Sequence, residues 1–402
     1  MWYGACVAHT LPNLTPDQHQ ALVTIVQWLT DNDRPYLTLG GYAGTGKTTL
    51  IAALRAELST KEGWSNKTVA FCSYTGKAAS VLRRRLQDFS ALKPGDSCST
   101  IHSLIYRPHT SGEEVVGWQL SPNLAYNLII VDEGSMVNQV IWRDLTSFRI
   151  PILVVGDHGQ LPPIDGQFNL LEKPHIRLDQ IVRQAADNPI IQLSADIREG
   201  IMPPVGTYGQ GVRRISPDDP DLYEAVDDVL QGSATDTLCL CGRNKTRVRL
   251  NQRARQAREY ESNLPVKGER VICLRNNHAK AIYNGMVGQV LGARPLGEHW
   301  LEAEIDFEEL SSPFRGTLVR SQFLRETTLK PEEVRAATID DPRQLYDLYD
   351  YGYALTVHKS QGSEARKVVV LAERMQAYDN LMWRRWLYTA VTRAREELVL
   401  IG

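Results

Sequence analysis

Short apolar runs punctuate the first half of the chain. Tyr36-Leu37-Thr38-Leu39, Thr68 to Ser73, Leu128 to Val131 and Pro151 to Val155 are near-continuous rather than alternating. That pattern predicts strands covered on both faces, as in a parallel sheet. Helical spacing separates them. Thr15 is placed to cap a helix with Pro16 at its first position and Gln18 at its third, and Ala21, Leu22, Ile25, Val26 and Leu29 form the stripe. Thr48 to Leu58 predicts a second helix directly after the first strand. Between Arg107 and Asn123 the pattern changes to Pro, Gly, Thr and Ser with short apolar pieces, as in a small hairpin. A second unit starts near Asn188. Its strand Thr237 to Cys241 leads into a helix carrying Lys245, Arg247, Arg249, Arg253, Arg255 and Arg258, expected mostly to face water with some tracking phosphates. From Leu264 to Tyr346 short alternating strands with an Asn284-Gly285 turn predict a small inserted β-barrel. The strands Val368 to Leu371 and Leu398 to Ile401 return to the α/β pattern.

Composition adds bounds rather than chemistry. At 402 residues, 43% hydrophobic and 23% charged, the chain reads as an ordinary globular protein of two to four domains. A net charge of −2 gives no global basic field, so any nucleic-acid site must be a local groove. Six cysteines show no paired or zinc spacing, which fits a reducing cytoplasm. The start of the chain lacks the basic and apolar pattern of a signal peptide. No apolar run approaches the ~18 residues that span a bilayer.

The candidate chemistry begins at Gly40-Gly41-Tyr42-Ala43-Gly44-Thr45-Gly46-Lys47-Thr48-Thr49, which fits the G-x-x-x-x-G-K-[ST] phosphate loop between a strand and a helix. Backbone N–H groups from Gly41 to Thr49 would cradle a polyphosphate at the positive end of the helix. Lys47 would reach the β- and γ-phosphates, and Thr48 would ligate Mg²⁺. Asp132 and Glu133 end a buried strand, in place to hold the metal and to polarise a water respectively. Gln160, in the loop after the strand ending at Gly156, is placed to sense a γ-phosphate. Gln18 reads either as part of the helix cap or as a reader of an adenine edge. Thr75 and Lys77 follow a strand at the ligand-binding edge of a parallel sheet. The Arg83-Arg84-Arg85 run reads as a solvated helix face. Trp118 reads equally as a wedge that stacks on bases or as a tryptophan closing a minor core.

The order of these segments resembles a known family. Val131-Asp132-Glu133-Gly134-Ser135-Met136 is similar to the second signature of superfamily 1 helicases, and Gly156-Asp157-His158-Gly159-Gln160-Leu161-Pro162-Pro163 to their third. Leu178-Asp179-Gln180-Ile181-Val182-Arg183-Gln184 resembles the segment leading into their second lobe, with Val182 where many relatives carry an aromatic. Tyr353 to Glu364 and Trp386 to Arg395 resemble late signatures, and the T-x-H-K-S-Q-G-S-E form points to the RecD/Dda-type group B. The resemblance implies an α/β fold of two RecA-like parallel-sheet motor lobes, 1–180 and 181–263 with 347–402. A hairpin insertion at about 103–123 and an SH3-like β-barrel at 264–346 complete it. It implies an ATP-dependent helicase moving 5′ to 3′ on single-stranded DNA, with a single-strand translocase that displaces proteins as the alternative. Arg393 and the strand-binding motifs argue against a nucleotide kinase, and the intact Lys47, Asp132 and Glu133 argue against a non-catalytic scaffold. ATP and Mg²⁺ would lie between lobes, met by Lys47, Asp132, Glu133, Gln160, Arg183 and Arg393, with Gln18 and Glu364 on the nucleotide. Thr75, Lys77, His102 and Trp118, with Thr356, His358 and Lys359, would meet the strand. Partners are single-stranded DNA, junctions, and replication or recombination proteins; the expected state is a monomer in the cytoplasm of a bacterial or phage-infected cell.

Overall fold

The computed structural model describes residues 13–111, 114–163, 168–182, 187–231, 237–277, 280, 282–307, 310, 312–337 and 346–402. The chain divides into two units, Met1–Asn188 and Pro189–Gly402, a few residues beyond the boundary expected at 180.

In the first unit α1 (Pro16–Asp31) starts at a reciprocal cap. The Thr15 hydroxyl accepts from Gln18 N, and Gln18 Oε1 accepts from Thr15 N. Two orphan donors of the helix start are thereby satisfied. There follow β1 (Tyr36–Gly41), α2 (Lys47–Thr60), β2 (Val69–Ser73), α3 (Gly76–Asp88), β3 (Ser97–Thr100) and α4 (Ile101–Ile105). The hairpin β4 (Tyr106–Ser111) and β5 (Glu114–Leu120) comes next, then β6 (Leu128–Asp132), α5 (Gln139–Thr146), β7 (Ile152–Gly156) and β8 (Ile176–Leu178). Six strands form one sheet in the order β3-β2-β6-β7-β1-β8, parallel throughout. The apolar runs are continuous because the sheet is covered on both faces. Leu37, Leu39, Phe71, Ile130 and Leu153 pack with α1, α2 and α3, whereas Ala70, Cys72, Ile129, Val131 and Val154 pack with α4 and α5. One buried ion pair ties this core together. The Arg55 guanidinium on α2 donates to both oxygens of Asp96, which also accept from the backbone N–H of Val69 and Lys93.

The second unit contains α6 (Pro189–Glu199), β9 (Gly206–Gly209), β10 (Val212–Ile215), α7 (Leu222–Gln231), β11 (Thr237–Cys241) and α8 (Asn244–Gln256). Beyond it are β12 (Arg270–Cys273), β13 (Val287–Leu296), β14 (Trp300–Asp306), β15 (Phe314–Val319), α9 (Pro331–Ala337) and β16 (Tyr349–Tyr351). The chain closes with β17 (Ala354–Thr356), β18 (Ala365–Leu371), α10 (Asn380–Val391) and β19 (Ala394–Ile401). Its main sheet has the order β17-β11-β18-β19-β10-β9, parallel except at the β9 edge. A separate antiparallel sheet, β15-β14-β13-β12-β16, is spliced in between α8 and β17. Its two edges meet. Asp347 N donates to Thr317 O and Val319 N to Asp347 O, joining β15 to the chain that enters β16. Val290, Leu301, Ile305, Phe314, Leu318 and Tyr349 fill the inside.

The cations of α8 require a correction. Lys245 and Arg249 face water, but Arg247 and Arg255 are buried. Arg255 pairs with buried Glu269 at 2.8 Å and lies over the Tyr351 ring; Arg247 pairs with Asp350. Arg253 holds Asp227, and Arg258 lies over the Tyr353 ring. Four of the six basic side chains, three on α8 and Arg258 just beyond it, therefore bolt this segment to its neighbours, because acids and aromatics from α7, from β16 and from the residues beside β12 and β16 converge on it. The five described cysteines are all buried, and burial pushes the thiols of Cys98 up to about 11 and of Cys239 and Cys273 up to about 12. Among the described residues no helix is long and apolar enough to cross a membrane.

Candidate active site

Parallel strands deliver their following loops to one edge, and β6, β7 and β1 are neighbours in the first sheet. Three loops thus emerge side by side: Gly41 to Lys47, Asp132 to Met136, and Asp157 to Gln160. In the first, Gly44 and Gly46 adopt left-handed backbone at φ 79° and 72°. Gly46 is confined twice over, since a Cβ there would lie 2.3 Å from Gln18 Nε2. Lys47 Nζ donates to the carbonyls of Gly41 (2.8 Å) and Tyr42 (3.0 Å), and Thr45 Oγ1 also donates to Tyr42 O (2.9 Å). The first-turn amides of α2 have no intrahelical acceptor and open towards the loop with Thr48 and Thr49. Val182 N donates to Gly44 O at 2.9 Å, a support for the loop with no signature in the sequence.

Gln18 is only 2% exposed. Its Oε1 belongs to the helix cap, and its Nε2 donates to Thr45 O at 2.9 Å, so the amide joins α1 to the phosphate loop. Of the two readings open for Gln18, the cap is present, and the remaining donor is directed at the loop backbone. Replacing Gln18 by Ala is expected to lower stability by about 1–2 kcal/mol, a lost cap plus a lost buried hydrogen bond, and to raise KM for nucleotide. A raised KM with unchanged denaturation midpoint would place the amide on the base instead.

At the end of β6, Asp132 Oδ1 accepts from Glu133 N at 3.0 Å. Glu133 itself sits in left-handed backbone (φ 55°, ψ 40°), a costly conformation for a side chain and a mark of functional turns. Gly134 lets that turn lie on β7, since a Cβ would meet Val154 Cγ1 at 2.3 Å. Burial raises the Asp132 carboxyl above its usual range, while the Glu133 N–H and the Lys47 charge pull it down, so Lys47 and Asp132 share one electrostatic site. In the third loop Asp157 accepts from Gly159 N (2.9 Å) and from Gln160 Nε2 (3.4 Å). Gln160 Oε1, both ring nitrogens of His158, Ser73 Oγ and Ser135 Oγ are buried without partners. Unsatisfied buried polar atoms are rare and call for an explanation. Here they gather at the ends of β2, β6 and β7, beside a left-handed glycine cradle, which suits a ligand rich in oxygens.

A second group lies further along the same edge, after β2 and β3. Thr75 caps α3, accepting from Ala78 N at 3.2 Å, and Lys77 is in the first turn. His102 on α4 stands 5.9 Å from the Tyr74 ring and 5.8 Å from Tyr106, with burial holding its pKa below the usual value. Trp118 lies on β5 opposite Pro108. Its side chain, like Arg183, is outside the described residues.

In the second unit Thr356 ends β17 and is buried, and His358 Nε2 lies 3.5 Å from the Tyr378 hydroxyl. Lys359 is pushed down to about 8, mainly by burial and then by the Arg247 charge. Glu364 is exposed. Arg393 is 3% exposed and folded onto its own helix end: Nε donates to Thr389 O (3.0 Å), Nη1 to Ser363 O (3.4 Å) and Nη2 to Thr392 Oγ1 (3.3 Å). Any phosphate contact by Arg393 requires those weak outer bonds to be exchanged.

Residues 13–213, half of the chain, match the family described as AAA domain, and residues 351–401 match the UvrD-like helicase C-terminal domain. Among curated proteins the chain is 30% identical over 394 residues to the ATP-dependent RecD2 DNA helicase of Deinococcus radiodurans, covering 91% of this chain and 47% of that one. It is 28% identical over 416 residues to the RecBCD enzyme subunit RecD of Mycobacterium tuberculosis, covering 90% and 66%. The chain thus spans about half to two thirds of the length of these relatives. In fold it is similar to a Pif1 helicase solved in a study of DNA unwinding at forked duplexes, with TM-score 0.54, 19% identity, and 97% of this chain and 92% of that one covered. With a parallel sheet that gathers a phosphate loop, an Asp-Glu turn and a Gln160 loop at one edge, the chain belongs to the family described as AAA domain, and it is similar to helicases of the RecD type.

Proposed function

We propose that this chain is an ATP-dependent DNA helicase that moves 5′ to 3′ along single-stranded DNA and separates duplex ahead of it. The observation that carries the ATPase part is the convergence of Lys47, Asp132 and Gln160 from three adjacent parallel strands. Lys47 would exchange its bonds to the Gly41 and Tyr42 carbonyls for phosphate oxygens, and Gln160 would turn its free Oε1 or its amide to the terminal phosphate or attacking water. Glu133, held by its strained turn, would orient that water and accept its proton. Among the described residues no cluster of three or more His, Cys, Asp or Glu forms a metal cage. Mg²⁺ would be held through the Thr48 hydroxyl and Asp132 together with the substrate phosphates. In this reading Arg183, which falls within the first unit, and Arg393 and Glu364 of the second would act on the same nucleotide.

The DNA part rests on two polar clusters. Thr75, Lys77 and His102 follow the first sheet's β2 and β3, and Thr356, His358 and Lys359 follow the second sheet's β17. Lys and Thr suit phosphates and carry no sequence preference. Nucleotide-driven closure of the lobes would shift one grip against the other. The β4-β5 hairpin with Trp118 is proposed as the wedge, and the closed five-stranded sheet as the SH3-like insertion of this group. Matched duplexes carrying a 5′ or a 3′ single-stranded tail test the direction. Unwinding of the 5′-tailed substrate alone is expected, at least about tenfold above the other, and a preference for the 3′ tail refutes the group assignment.

A further inference from the structure

We propose that Tyr42 and His158 are positioning residues that lock the phosphate loop to the Gln160 loop, so that the two respond to nucleotide as one body. The strands β1 and β7 pair in parallel with Gly40 opposite Gly156. Two residues further on, beyond the last hydrogen-bonded rung, Tyr42 and His158 occupy matching positions, and equal offsets on parallel strands put side chains on the same face. Their rings touch, with centroids 4.1 Å apart and planes tilted by 43°. The pair therefore extends the sheet by one rung of side chains where its backbone ladder has ended.

Each partner is tied to a working element. The Tyr42 carbonyl accepts from Lys47 Nζ, Thr45 N and Thr45 Oγ1, which makes it the hub of the phosphate loop. His158 stands between Asp157, which organises the loop after β7, and Gln160, whose Oε1 is unpartnered. The imidazole nitrogens are themselves buried without partners, so the ring is held by packing rather than by hydrogen bonds. Gly40 makes room for it: a Cβ there would lie 2.8 Å from His158 Nδ1 and 2.6 Å from Pro174 Cγ. An apolar-style contact made by a polar ring, at the junction of two loops that meet the same ligand, is explained by a mechanical role.

The inference rests on the ATPase reading above and is tested by a thermodynamic cycle on DNA-stimulated ATP turnover. Tyr42→Ala and His158→Ala are each expected to lower kcat about two- to tenfold, the range of one aromatic pair, with KM changed less than kcat. The double variant is expected to be no worse than the poorer single one, because both remove the same contact. Tyr42→Phe and His158→Phe, which keep the rings, are expected to retain turnover. Losses that multiply in the double variant, or Phe variants as poor as the Ala ones, overturn the proposal. Should an Ala variant fail to fold, Tyr42→Leu and His158→Leu take its place in the same cycle. A wild-type chain without ATP turnover would refute the ATPase reading alone; the cycle is then read on affinity for a fluorescent Mg–ADP analogue, with the same criterion.

Discussion

Lys47→Ala is expected to reduce ATP turnover at least about a hundredfold, the scale of removing one preorganised charge-stabilising donor from a transition state. The ammonium spans the two carbonyls at the throat of the phosphate loop and lies in the same field as Asp132, so its loss affects nucleotide grip and metal site together. The side chain contributes nothing to the sheet cores, and the fold is expected to survive. Affinity for a fluorescent single strand, measured by anisotropy, should stay within about twofold, since phosphate contacts are spread over separate cations. Near-normal hydrolysis by this variant would remove the phosphate loop from the mechanism.

Asp96→Ala carries the largest expected cost in stability, about 3–5 kcal/mol, because it strands a charge that burial has already cut off from water. The side chains of Arg55 and Asp96 are 1% and 0% exposed, and the same carboxylate takes the N–H groups of Val69 and Lys93. Removing it leaves the guanidinium with only the Lys67 carbonyl at 3.3 Å, and two backbone donors without acceptors at the root of β2. Chemical denaturation followed by circular dichroism measures the loss. Asp179→Ala, at the exposed pair with Arg177, serves as the comparison and should show no measurable change. Equal effects at the two sites would mean that the buried pair is hydrated in solution.

The contrast between these pairs shows where sequence reading reaches its limit. Strands were legible wherever both faces are covered, because burial then demands an unbroken apolar run, as in Leu128 to Val131. The phosphate loop was legible because its spacing is set by backbone geometry within ten residues. The cations of α8 were not, since nothing near Arg255 in the chain announces Glu269 or Tyr351, and the helix was expected to be mostly solvated. The same holds for Tyr42 and His158, whose contact depends on the register between β1 and β7. The cap formed by Thr15 and Gln18 was readable, but the reach of the same amide to Thr45 was not. Local signals carry local geometry; partners brought together by the sheet must be seen in three dimensions.

The concealment of the described thiols has a practical side. Maleimide chemistry needs an accessible thiolate, and Cys72, Cys98, Cys239, Cys241 and Cys273 offer neither access nor ionisation near neutral pH. With Cys6 changed to Ser, one cysteine introduced at an exposed site in each unit, such as Val140 and Leu296, would take a dye cleanly while the interior sulfurs stay as they are. One dye in each unit would turn any nucleotide-driven approach of the two into a change in energy transfer, read on single molecules without rebuilding either core.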